Sequence, residues 1–263
     1  MDLQKLCAFM RQTAIDCGNI MLQAEGERVA VTEKTGFRDL VTRYDAAVQK
    51  ATMDKLAAEY PQASFFCEEG EERTLLSEGL TFVIDPIDGT TNFARGLRHS
   101  CISAAALIDG MPSVGVIYNP FSGECMSAVK GGGTECNGRK VTVAAENLEN
   151  SLVLFGTSPY RADLYQATLD SVRAIYGNCL DLRRSGSAAL DLCDTAAGRV
   201  GLFFEHSLSL WDYAAGVLLV EEAGGKCVTL SGGPVLFNGE KSSIIAGPAA
   251  NIEQALQLFG TIG

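Results

Sequence analysis

The sequence predicts an α/β (α+β) chain in which helix layers alternate with sheets. Three observations carry that expectation. Apolar residues at three- and four-residue spacing alternate along the chain with short β-branched runs. Strand-like runs between residues 101 and 129 follow one another across turns too short for a crossover, which makes an antiparallel meander. From about residue 150 the order changes to strands separated by helices. No linker is long enough to separate independent domains. Residues 1–263 are therefore expected to form a single domain whose two sub-halves, roughly 1–145 and 146–263, share one core.

Leu3, Leu6, Cys7, Met10, Ala14, Cys17 and Met21 line one face of a helix over residues 3–24, which Gly26 ends. Residues 29–31 read as a strand and 32–38 as a polar loop of mixed charge. A helix runs on to Ala58 with Asp45 at its start, where the helix dipole favours a carboxylate. A strand over 63–67 delivers Glu68 and Glu69, and 70–79 reads as a surface loop. The meander strands are 101–108, 114–118 and 125–129, and Gly131 to Gly133 form a turn. Beyond it the spacing predicts strands at 152–155, 200–204, 227–230 and 243–246. Helices are expected at 162–175, 186–197, 212–223 and 252–259.

The composition, 47% hydrophobic and 20% charged, is that of a globular chain. A net charge of −11 argues against general affinity for nucleic acid or an anionic membrane. An anionic substrate would need a local cationic patch, which bound metal ions supply economically. Nine cysteines with no Cys-x-x-Cys pair suggest reduced thiols used as small core residues. His99 and His206 stand too far apart in sequence to support a zinc site or a Ser-His-Asp triad. No apolar run approaches a membrane span and no basic leader precedes the first helix, so a cytoplasmic location is expected. Cys67 and Arg73 have the spacing of a cysteine-phosphatase loop, but the acids between them would repel phosphate.

Residues 80–93 organise the rest. Leu80 to Ile84 form a short apolar run that reads as a buried strand, ending at Pro86, which has no N–H for a sheet. Asp85 and Asp88 at its carboxyl end make a hard, anionic oxygen site suited to magnesium. Gly89 permits a tight turn. Thr90 and Thr91 start a helix whose free N–H groups would seat a phosphate. Read alone, Asp45, Glu68 and Asp212 fit as caps or surface acids. Four or more acids converging on one edge of a layered α/β chain would repel unless cations lay between them, and that is the argument for metal.

The string Asp85-Pro86-Ile87-Asp88-Gly89-Thr90-Thr91-Asn92-Phe93 resembles the signature of the inositol monophosphatase family, magnesium-dependent and lithium-sensitive phosphomonoesterases. Asp39-Leu40-Val41-Thr42 followed by Asp45, then Phe66-Cys67-Glu68-Glu69 and Trp211-Asp212-Tyr213-Ala214-Ala215-Gly216, are similar to its other elements, with Cys67 where a glycine is common. The resemblance implies an α-β-α-β-α sandwich of the sugar/inositol phosphatase type, with a mixed, mostly antiparallel first sheet. It implies that Glu68, Asp85, Asp88, Asp212 and the carbonyl of Ile87 hold two or three Mg2+ ions, with Lys34 a basic residue nearby. Asp45, Glu68 and Thr90 would be catalytic, Asp45 and Thr90 positioning and activating the attacking water. Ile87, Asp88, Gly89, Thr90, Arg183, Gly186, Ser187, Ala188, Glu205 and Asp212 would meet the substrate. The implied reaction is in-line hydrolysis of a phosphate monoester by metal-activated water, with myo-inositol monophosphate as substrate. Fructose bisphosphate, histidinol phosphate, phosphoadenosine phosphate and NADP are alternatives within the family. A homodimer is implied as well. A reading from another class makes the fold chiefly a binding partner for another protein.

Overall fold

The computed structural model describes residues 1–24, 29–36, 39–70, 73–75 and 78–260; the Gly26 helix stop and parts of the 32–38 and 70–79 loops lie outside them. Helix α1 (Leu3–Leu22) starts at Asp2, whose carboxylate accepts hydrogen bonds from the amides of Gln4 and Lys5. Its apolar stripe, Leu6, Cys7, Met10, Ala14, Cys17 and Met21, is buried as the spacing predicts.

Strands β1 (Val31–Gly36) and β2 (Asp39–Thr42) pair antiparallel, with Val31 opposite Thr42 and Glu33 opposite Leu40. The sequence predicts only a strand at 29–31 and a loop from Thr32 onward. The 39–42 segment lies alongside and takes up the backbone groups of 31–36, a pairing that composition does not show. Helix α2 (Arg43–Glu59) follows through a reciprocal cap. Thr42 Oγ1 accepts from Tyr44 N, and Asp45 Oδ2 accepts from Thr42 N.

The main sheet has seven strands in chain order. They are β3 (Ser64–Cys67), β4 (Leu80–Asp88), β5 (Cys101–Ile108), β6 (Met111–Asn119), β7 (Glu124–Val129), β8 (Gly133–Cys136) and β9 (Arg139–Val141). The pair β3–β4 is parallel and every other pair antiparallel, so the sheet is mixed and mostly antiparallel. The β8–β9 hairpin is polar and short, and its sequence carries no strand alternation. Strand β4 does not stop at Pro86. Asp85 faces Ser103 and Asp88 faces Cys101, three residues against two, and this bulge absorbs the proline's missing donor. Helix α3 (Thr90–Ala94) is a single short turn beyond it.

The second sheet has the order β11-β10-β12-β14-β13. Its strands are β10 (Leu152–Phe155), β11 (Asp181–Arg183), β12 (Leu202–Leu208), β13 (Lys226–Val228) and β14 (Ser242–Gly247). Its helices are α4 (Tyr165–Tyr176), α5 (Ala188–Ala196), α6 (Leu210–Glu222) and α7 (Ala249–Gly260).

The layers run α1 and α2, the seven-stranded sheet, α5 and α6, the five-stranded sheet, then α4 and α7. This is the α-β-α-β-α order the resemblance implies. The central layer is the apolar middle of the molecule. Leu192, Leu210, Tyr213, Ala214, Leu219 and Val220 pack there with Val83 and Ile117 of the first sheet and Phe203 and Ile244 of the second. Trp211 lies at the edge of this layer, between Phe66 and the guanidinium of Arg73. All nine cysteines are free thiols, seven of them buried. No helix among the described residues is long and apolar enough to cross a membrane.

Candidate active site

The layering brings the carboxyl end of β4, the end of β3 and the starts of α5 and α6 to one cavity of about 400 Å³. Asp85, Asp88 and Asp212 converge there, each with a carboxylate oxygen within 4.8 Å of the other two. The β4 bulge aims both aspartates of the signature at the cavity. Asp85 Oδ1 accepts from the amide of Ile87 at 3.0 Å. One oxygen of Asp88 is tied to the start of α5, by Ser187 Oγ at 2.6 Å and the amide of Ala189 at 2.7 Å. Asp212 accepts from the amide of Ser209 at 2.7 Å, the cap of α6. Glu68 lines the same cavity, one residue past the Cys67–Ile84 pair and so beside Asp85, and Lys34 Nζ donates to its Oε1 at 2.9 Å.

Burial and like charge act together on these groups. Burial first, then Glu68, Asp88 and Asp212, pushes the Asp85 carboxyl well above its ordinary value. Burial and then Asp88 and Glu68 do the same to Asp212. Asp88 is pushed up to about 6 by burial, against the bonds from Ser187 and Ala189. Burial works against the Lys34 ammonium, yet Glu68 and Glu69 outweigh it and hold the group above its ordinary value. A divalent cation among the aspartates would relieve both the burial and the repulsion. The donor set is all hard oxygen, the chemistry that Mg2+ and Ca2+ take. The residues present fit such an ion.

Beside this cluster Asp45 is fully buried. Its Oδ2 accepts from Thr42 Oγ1 at 2.6 Å, and its Oδ1 meets Thr90 Oγ1 at 3.3 Å. Thr90 Oγ1 also reaches the carbonyl of Ile87 at 3.1 Å, so one hydroxyl spans the two. Burial pushes Asp45 up to about 6. Gly89 joins β4 to α3 at φ +86, where a Cβ would stand 3.0 Å from the His99 carbonyl; only glycine takes this turn without strain. Asn92 ties the signature to the α5 loop by donating to the carbonyls of His99 and Ser185.

The far wall is Glu205, on β12. Its Oε1 accepts from Ser158 N at 2.8 Å and from Ser158 Oγ at 3.0 Å, and burial pushes it up to about 7. Gly156 leaves the room it occupies, since a Cβ there would fall 1.8 Å from Glu205 Oε2. Gly156→Ala must therefore displace Glu205. We expect a stability loss of about 1–3 kcal/mol, read as melting temperature.

Glu68, Asp85, Ile87, Asp88, Gly89, Thr90, Gly186, Ser187, Ala188, Glu205 and Asp212 thus line one cavity, and Asp45 lies behind it, joined through Thr90. Arg183 does not. It is exposed, paired with Asp181 and with the Leu182 carbonyl. Its neighbour Arg184 lines the cavity instead and donates to Thr157 Oγ1 at 3.3 Å. Arg183 is the last residue of β11 and is held back on that strand by Asp181, whereas Arg184 is the first residue of the loop that leads into α5 at the cavity. Sequence reasoning also missed Gly156, Ser158 and Tyr160. They follow the carboxyl end of β10, the position that marked Glu68 after β3.

The family model described as the inositol monophosphatase family matches residues 2–262. The chain is 38% identical over 225 residues to Nus factor SuhB of Salmonella typhimurium (strain 14028s / SGSC 2262), covering 84% of each chain. It is 40% identical over 200 residues to Nus factor SuhB of Escherichia coli (strain K12), covering 75% of this chain and 74% of that one. Among solved structures, the extragenic suppressor protein suhB of Bartonella henselae superposes with a TM-score of 0.92 at 32% identity, covering 98% and 100% of the two chains. An IMPase of Thermotoga maritima superposes at 0.88 and 28%, covering 97% and 96%. An IMPase/NADP phosphatase complexed with NADP and Ca2+ superposes at 0.90 and 25%, covering 100% and 98%.

Proposed function

This chain belongs to the inositol monophosphatase family, and from that premise we propose that it hydrolyses a phosphate monoester with Mg2+, its substrate a phosphorylated polyol such as myo-inositol monophosphate. The observation that carries the reading is the cluster of Asp85, Asp88 and Asp212 in a cavity whose far wall is a half-paired carboxyl, Glu205. Glu68, Asp85, Asp88, Asp212 and the carbonyl of Ile87 would hold the ions. Bound divalent ions supply charge neutralisation and acidify water.

The chain's own groups do the rest. Asp45 and Thr90 orient the attacking water beside the cluster, and the Asp45 carboxylate is placed to take up its proton. Gly89 and Thr90 offer N–H groups to the phosphate. Glu205 keeps Oε2 for a hydroxyl of the alcohol, while Ser158 fixes Oε1. Homodimerisation and sensitivity to lithium belong to the same reading.

Phosphate release from a panel of monoesters in Mg2+ tests it. Release is expected from inositol monophosphate ahead of histidinol phosphate, fructose bisphosphate, phosphoadenosine phosphate and NADP. Activity confined to a nucleotide phosphate would overturn the polyol assignment and leave the phosphatase reading standing.

One finding favours a second reading. The relatives are named as a factor, Nus factor SuhB, which fits a binding role on the same fold. A variant that has lost hydrolysis yet keeps its function in the cell would support it.

A further inference from the structure

We propose that Gln49 is a positioning residue that sets the Glu68–Glu69 corner against the carboxylate cluster. The inference rests on the reading of that cluster as a divalent-metal site.

Gln49 stands on α2 one turn beyond Asp45 and is buried, 7% exposed. Its amide meets both backbone groups of Glu69. Nε2 donates to the carbonyl at 2.6 Å, and Oε1 accepts from the N–H at 2.9 Å. A primary amide can donate and accept in one fork, and a carboxylate cannot. On the other side of the corner, the Glu68 amide donates to the Ile84 carbonyl of β4 at 3.1 Å. Arg73 Nη2 donates to the Glu68 carbonyl at 3.2 Å. The Glu68 Cα therefore lies between a peptide fixed to β4 and a peptide fixed to α2.

Two forces act on that corner. Cys67 stands opposite Ile84, so the next residues, Glu68 and Asp85, lie side by side at the cavity, and when both are ionised like charge drives them apart. Lys34, on β1, grips the carboxylates of both Glu68 and Glu69 and draws them toward the hairpin. The Gln49 fork opposes both displacements. It joins the Glu68 backbone to the helix that carries Asp45, so the two acids are held in one frame.

The probe is Mg2+ alone, titrated without substrate and read as the rise in melting temperature. Gln49→Met keeps length and volume and removes both bonds. Its Mg2+ midpoint is expected roughly tenfold above wild type, the usual order for loss of a group that orients a metal ligand. KM for substrate should change little. Gln49→Glu keeps the acceptor and loses the donor. It serves where Gln49→Met does not fold, and its midpoint is expected to move in the same direction. If Gln49 were merely structural, the variants would melt lower without metal and keep the wild-type Mg2+ midpoint; that result overturns the proposal. A wild-type protein whose melting ignores Mg2+ would overturn the metal reading, and this inference with it.

Discussion

Asp88→Asn is expected to abolish Mg2+-dependent phosphate release while raising the melting temperature of the metal-free protein. The amide oxygen of asparagine can still accept from Ser187 Oγ and the Ala189 amide, so the tie to α5 survives. The NH2 group then faces Asp85 and Asp212 as a donor among acceptors and removes one buried like charge. Without metal this is a relief. Toward a cation it presents positive hydrogens where an anionic ligand is needed. Losing several kcal/mol of charge stabilisation, at about 1.4 kcal/mol per tenfold, predicts a loss of about a thousandfold or more. Phosphate release and paired melts with and without Mg2+ read both effects. Undiminished activity with an unchanged Mg2+ dependence would contradict the site as described.

Metal-free protein is expected to lose stability as pH rises from about 4 to about 7, the reverse of a chain held together by salt-bridged carboxylates. Asp45 and Asp88 sit at about 6 and Glu205 at about 7, each raised above its ordinary value chiefly by burial. The folded chain therefore binds more protons than the unfolded one through that window. The stabilisation is complete below about pH 4 and is lost as pH climbs through the raised values. Mg2+ acts in the opposite sense, because it binds the ionised carboxylates of the folded state alone. At about 1.4 kcal/mol per pKa unit and about 2–4 °C per kcal/mol, the melting temperature in chelator should be at least about 5 °C lower at pH 8 than at pH 5. Saturating Mg2+ should recover most of that loss. A melting temperature that rises from pH 5 to pH 8 in chelator would show that the carboxyls are not strained as described.

The features of the site legible in the sequence were those written in one short stretch. Asp85, Asp88 and Gly89 stand within five residues of each other, and the local chemistry of Pro86 and Gly89 marks them as a strand end followed by a turn. Asp212 and Glu68 gained meaning only from their joint occurrence with that stretch. That helix layers alternate with sheets followed from the order of helical and strand runs, and α1 buries the face its spacing selects, whereas the full α-β-α-β-α order came from the resemblance.

What was not legible depends on pairings between distant segments. Ser158 meets Glu205 across 47 residues, and Gln49 meets Glu69 across 20. The β1–β2 hairpin and the β4 bulge are likewise set by the partner strand and not by their own composition. The choice of Arg184 over Arg183 turns on where β11 ends and the loop toward α5 begins, which no local pattern in so short a strand could decide.

Phosphate release from inositol monophosphate, followed in Mg2+ and then in excess chelator, tests the metal site most directly. Hydrolysis should fall to background when the chelator is added and return when Mg2+ is restored. Hydrolysis that continues undiminished in chelator would contradict the assignment of Asp85, Asp88 and Asp212 as the seat of the reaction.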